Sequence, residues 1–265
     1  MNTLLILGPL GAILVGLLSI GIWRLKRQVE IRYFAFGGLT WFAVFFSKLI
    51  VDSVVTPELD VWATTTYGSI GTLITLGIYA GLRTGALQGS FTYLMFSRSD
   101  LRKMSLDEAT AFGIGFGAFE AVFLVISSLV QFMSFIVNPS LLNGLTPTQR
   151  QAIEAQLNLP TWIIPATIIE RVFTLFVHTF AALLVFISVT RRKLVFFFGA
   201  FFYLSLLDAL VPYFQGTINL NEPVSIYAAE VWVVILGVIA LAGTYLARKN
   251  LRMHQQQKLS KTKKV

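Results

Sequence analysis

The chain contains no cysteine and little charge: of 265 residues, 13% are Asp, Glu, Lys or Arg and only two are histidine. Without cysteine there is no disulfide, no thiolate metal ligand and no cysteine nucleophile. Soluble domains carry about 25% charged residues. A chain that is 55% hydrophobic, with a mean hydropathy of +0.73, is therefore not a soluble globular protein. Its 23 Phe, 5 Trp and 8 Tyr lie in apolar runs too long for one water-soluble core, so a bilayer supplies much of the burial. Acids are also scarce, 13 against 21 bases, and in a membrane protein that +8 excess is first a topology signal.

A spanning helix needs about 20 mostly apolar residues. Seven stretches qualify, at 3–23, 33–55, 66–97, 107–138, 161–190, 194–215 and 224–247. The expected fold class is all-α, a polytopic transmembrane helix bundle forming one domain over 1–247, with a basic tail at 248–265. The connections alternate in charge. Of the 21 bases, 17 fall on one side, Arg150 lies on the other, and Lys48, Arg83 and Arg171 lie inside spans. The positive-inside rule then predicts an outside N-terminus, a cytoplasmic C-terminus and a multipass protein integral to the cell membrane. The first span has no base before it and a dense basic cluster after it, which reads as a retained helix rather than a cleaved signal. Between the fourth and fifth spans, Thr146 as N-cap and Pro147 at the first helical position predict a short amphipathic helix at the outer surface. The tail reads as a topology anchor with a disordered end, and beside that as a lipid-sensing or nucleic-acid arm.

Ionisable groups at bilayer depth cost at least about 2.5 to 3.5 kcal/mol each, so each needs a partner or a role. Nine are present. Lys48 and Asp52, four apart on one helix face, are expected to neutralise each other near the outer end. Glu230 is expected at the interface. Arg83, Glu120, Glu170, Arg171, His178 and Asp208 lie deeper, on four spans. Arg171 and His178 are two turns apart and share a face, while Glu170 points about 100° away from Arg171. A polar cavity lined by the third to sixth spans would satisfy them. Gly113 and Gly117, four apart, let a helix approach the one bearing Glu120, and Gly81, Gly85 and Gly89 form a second ladder. Glu120 then reads either as packing glue or as part of a site. A hydrolytic site would use Glu120 or Glu170 as base and His178 or Arg171 as electrostatic partner. With His178 and His254 the only histidines, and His254 in the tail, no metal and no cofactor are expected.

Two motifs, Gly113-Ile114-Gly115-Phe116-Gly117-Ala118-Phe119-Glu120 and Glu170-Arg171 followed by His178, make the chain resemble the YhfC family of intramembrane peptidases. That family sits within the CAAX-protease-like, or glutamic intramembrane protease, superfamily, which includes the multipass scaffold subunit of gamma-secretase. The similarity covers about 66–215. It implies a Glu-Glu-x-x-Arg motif on the long helix, a Gly-x-Gly-His-Gly-Gly-x-Glu motif on the next, the Glu-Arg-x6-His helix, and a His-x-x-x-Asp or Asn pair, with the paired Glu activating water. Here Gln88 and Gly89 stand for the Glu pair, Thr92 for the Arg, Phe116 for the glycine-motif His, and Leu204 for the His before Asp208. Gln accepts no proton at neutral pH and Gly has no side chain.

The candidate catalytic residues are therefore Glu120, Glu170, His178 and Asp208, with Arg171, Arg83 and Gln88 as binding or electrostatic groups. The resulting expectation is a proteolytically inactive member that binds a transmembrane helix or lipid in a polar cavity. Its partners would be membrane lipids and a hydrophobic or transmembrane protein, with no nucleic acid. The alternatives are an active protease whose base has moved to Glu120 or Glu170, and a proton-coupled or small-solute transporter. No internal repeat supports the transporter, and no Lys between Glu230 and Thr244 supports a retinal receptor.

Overall fold

The computed structural model describes residues 2–98, 100–219 and 222–262, with side chains at all of these except 98, 100 and 251–262. Lys263 and Lys264 of the tail lie outside the described residues, as do the side chains of Arg98, Arg252, His254, Lys258 and Lys261. Among the described residues there is no strand. The helices are α1 (Leu7–Arg27), α2 (Ile31–Arg98), α3 (Leu106–Val137), α4 (Pro147–Leu157), α5 (Ile163–Arg191), α6 (Leu194–Ala209), α7 (Val211–Thr217) and α8 (Pro223–Thr262).

Six helical segments are long and apolar enough to cross a membrane, α6 with α7 counting as one. The longest, α2, turns back on itself at Gly68, whose φ of 70° and ψ of −173° interrupt the helix. The Thr64 and Thr72 hydroxyls lie 3.1 Å apart, Tyr79 donates to Asp52 at 2.9 Å, and Arg83 pairs with Asp52. These contacts link the two sides of the turn, so the limbs 31–67 and 69–98 run antiparallel and correspond to the spans expected at 33–55 and 66–97. A connecting loop was expected around Glu58 and Asp60. Instead the helix continues through both and through Pro57, and the reversal waits for the first residue able to adopt that backbone.

Nothing lies within 4 Å of a Cβ at Gly68, so its requirement is conformational. Gly68→Ala is expected to cost about 1 to 3 kcal/mol, read as a lowered thermal midpoint in detergent. An unchanged midpoint would show that the turn tolerates a side chain.

Helices α1, α3, α5, α6 with α7, and α8 lie within a few residues of the other stretches read as spans, apart from the extension of α8. The sixth breaks at Leu210, and Pro212 lies in the first turn of the short α7 that follows. Thr146 caps α4 as expected, and Gln149 completes a capping box by accepting from the Thr146 N–H. α8 runs without a break across residue 247 into the basic segment. Large apolar side chains such as Leu14, Ile50, Ile70, Val130 and Phe202 face outward, a surface that lipid rather than water must cover.

α5 is the central helix: 72% of its apolar window is buried, against a third or less in each of the others. It packs against α1, α2, α3, α6 and α8. Its polar side chains are therefore held away from lipid by protein on all sides. The glycines decide the spacing. A Cβ at Gly113 would stand 2.7 Å from Thr179 Cα, and one at Gly117 would stand 2.9 Å from Leu175 Cα. α3 thus lies directly on α5, with Glu120 one turn further along the same face. Gly81 and Gly85 bring the second limb of α2 against α6 in the same way. The basic segments gather at one end. There Trp23 donates to the Asp107 carbonyl at 3.1 Å, and Arg248 pairs with Asp107 and donates to Thr110 at 2.5 Å, tying α1, α3 and α8 together.

Candidate intramembrane site

Glu120 is the hub. Its Oε2 accepts from the Trp41 indole N–H at 2.9 Å and lies 3.0 Å from His178 Nε2. Its Oε1 lies 3.5 Å from the Arg171 guanidinium, which also pairs with Glu170. The two-turn spacing puts Arg171 and His178 on one face of α5, and the glycine contact brings Glu120 up to that face. Although Glu170 and Arg171 project in different directions, the long guanidinium side chain reaches its neighbour. His178 is 2% exposed by side chain, and its Nε2 contact with Glu120 lies off the line of a hydrogen bond. Glu230, expected at the interface, is in electrostatic range of Glu170 and Arg171, and its Oε2 is buried without a hydrogen bond among the described residues.

Sequence reasoning missed Trp41. Its ring lies among Phe42, Phe45 and Phe123, at centroid distances of 5.3, 5.1 and 5.3 Å. The signal was an indole deep in an apolar span, whose N–H must find an acceptor.

On the far side of His178 is a small cavity with room for about one water, lined by Gln88, Thr92, Phe116, His178 and Leu204 among others. The Phe116 and His178 rings are 5.0 Å apart between centroids. Gln88 is buried, and its side-chain carbonyl has no hydrogen-bond partner among the described residues.

Asp208 and Arg83 belong to a different cluster. Lys48 Nζ lies 3.0 Å from Asp208 Oδ2, the Thr84 hydroxyl donates to the same oxygen, and Arg83 pairs with Asp52 while lying 3.9 Å from Asp208. The expected Lys48–Asp52 pair is not formed. Each instead takes a partner across a helix interface, where the opposite charge is better shielded from solvent. Of the candidates, Glu120, Glu170, Arg171 and His178 thus converge, Gln88 meets His178 across the cavity, and Asp208 and Arg83 neutralise Lys48 and Asp52.

Chemically, the hub is a fixed carboxylate among donors rather than a free base. Among the described residues, no three His, Asp or Glu side chains gather as a metal site would need. The cavity-lining residues Gln88, Thr92, Phe116, His178 and Leu204 come from α2, α3, α5 and α6. No curated protein and no solved structure matches the chain. A family model described as YhfC intramembrane metalloprotease matches residues 11–246, nearly the whole length. With that coverage, the chain belongs to the YhfC intramembrane metalloprotease family.

Proposed function

We propose that this member of the family is proteolytically inactive and receives a hydrophobic partner, a transmembrane helix or a lipid, at its polar intramembrane site. It sits in the cell membrane with the basic end of the bundle in the cytoplasm. One observation carries this reading: the positions that converge on the cavity bear an amide, a hydroxyl, a phenyl ring, an isobutyl group and a single imidazole. The family description implies a metal, and these residues do not fit one. A catalytic metal takes about three protein donors, whereas the cavity offers His178 and the Gln88 carbonyl, with Glu120 held by Trp41, Arg171 and His178. A Glu120 with its lone pairs so engaged is also a poor replacement for the missing Glu pair.

The test is turnover in liposomes against a panel of transmembrane peptides. The expected result is no cleavage above the background of empty liposomes. Cleavage that disappears in Glu120→Ala or Glu170→Ala protein would overturn the proposal.

A further inference from the structure

At the basic end, away from the His178 site, a second cavity of about 390 Å³ opens between α2, α5 and α6. Tyr93 and Ser97 line it from the end of α2, Arg102 from the turn that follows, Ser188 and Arg192 from the end of α5, and Leu194 from the start of α6. Among the residues whose side chains are described, no acid lines it and no carboxylate lies within ion-pair distance of Arg102 or Arg192.

Three independent features make this a built site rather than a solvated basic rim. Ser188 is 1% exposed and its hydroxyl has no hydrogen-bond partner among the described residues, although a serine in a helix often bonds the carbonyl one turn back. It faces the cavity instead. Arg192 has a φ of 53°, the left-handed position after a helix end where glycine is the favoured residue. An arginine held there turns the chain and sets a guanidinium at the cavity mouth. α6 then begins at Leu194 with no side-chain cap, leaving its first N–H groups and its positive dipole end open to an anion.

We infer that this cavity binds a phosphate-bearing anion, held by Arg102, Arg192, the Ser188 hydroxyl and the start of α6. Guanidinium forks match phosphate oxygens two at a time, and a buried hydroxyl donates a third bond. The cavity lies where three membrane helices leave their apolar stretches, the depth of phospholipid headgroups, so the expected source is an anionic lipid. This site is independent of the proteolytic reading.

The experiment measures the thermal midpoint of the full chain in neutral detergent with added phosphatidylglycerol, with phosphatidylcholine, and with inorganic phosphate. Phosphatidylglycerol is expected to raise the midpoint by several degrees, with phosphatidylcholine much less effective. In Arg102→Gln, Ser188→Ala and Arg192→Gly proteins the lipid concentration needed for half the rise increases about tenfold. Arg192→Gly is the informative variant, because glycine is favoured at that φ and the fold is retained. Neutralising Lys261, Lys263 and Lys264 to Gln leaves the response in place, which separates the cavity from the tail. An equal rise with inorganic phosphate keeps the site and assigns it to a soluble phosphate. No rise with any anion, or a rise unchanged in the three cavity variants, overturns the inference.

Discussion

Replacing Glu120 by alanine is expected to lower the stability of the bundle by about 3 to 5 kcal/mol, the cost of removing one partner from a buried charge pair. Three groups lose their carboxylate neighbour together: the Trp41 indole N–H, which donates to it at 2.9 Å, His178 at 3.0 Å and the Arg171 guanidinium at 3.5 Å. All three are at most one-tenth exposed by side chain or residue, in the contact between α2, α3 and α5. The thermal midpoint of the detergent-solubilised protein reads the effect. Glu120→Gln should fall between parent and Glu120→Ala, because an amide oxygen still accepts from Trp41 but no longer balances Arg171. Adding Arg171→Leu to Glu120→Ala should cost less than the sum of the single changes, by about 1 to 3 kcal/mol, since the stranded charge has gone. A midpoint for Glu120→Ala indistinguishable from the parent would mean that the hub is not buried as described.

Gly37→Ala and Gly115→Ala form the second large effect. A Cβ at Gly37 would stand 2.0 Å from the Phe112 carbonyl oxygen, and one at Gly115 would stand 2.1 Å from that of Phe34. The two glycines face each other's helix across the α2–α3 contact, and both obstructions are backbone, which cannot rotate away. The helices must separate by more than 1 Å to reach ordinary contact, carrying Trp41 away from Glu120. The expected cost is about 3 kcal/mol, at the upper end for overpacking, with reduced yield of folded protein. Gly21→Ala, on α1 with nothing within 4 Å, is the control and should be neutral or slightly stabilising. Equal midpoints for Gly37→Ala and Gly21→Ala would refute the close contact.

These two effects differ in how much of their cause the sequence displays. Gly113 and Gly117 announce a close helix contact by spacing alone, yet nothing in the spacing names α5 as the partner. Gly37 and Gly115 carry no such pattern, because each serves a single crossing. Arg171 and His178 share a face by periodicity, and a carboxylate partner across the bundle follows from the cost of burying the charge. That the carboxylate is Glu120, with Trp41 as a further donor, depends on how α2 and α3 lie against α5. The Lys48–Asp52 expectation failed for the same reason. Four-residue spacing identifies neighbours on one helix, but in a low-dielectric interior a better-buried opposite charge on another helix wins, and Asp208 and Arg83 are those charges.

The amino-acid order by itself determined the helical class, the long apolar helices, the gathering of basic residues at one end and the cap of α4. Each of these is local: an apolar run, a cap, a charge count or a residue type at a fixed offset is complete within a few turns of chain. Only the tertiary structure decided that Gln88, Thr92, Phe116, His178 and Leu204 line one cavity, that Asp208 is bound up with Lys48 rather than His178, and that Ser188, Arg102 and Arg192 share a second one. Those facts join residues tens to over a hundred positions apart. They are fixed by which helix faces pack together, and that choice belongs to the whole bundle at once, since every buried glycine and charge must be satisfied by the same arrangement.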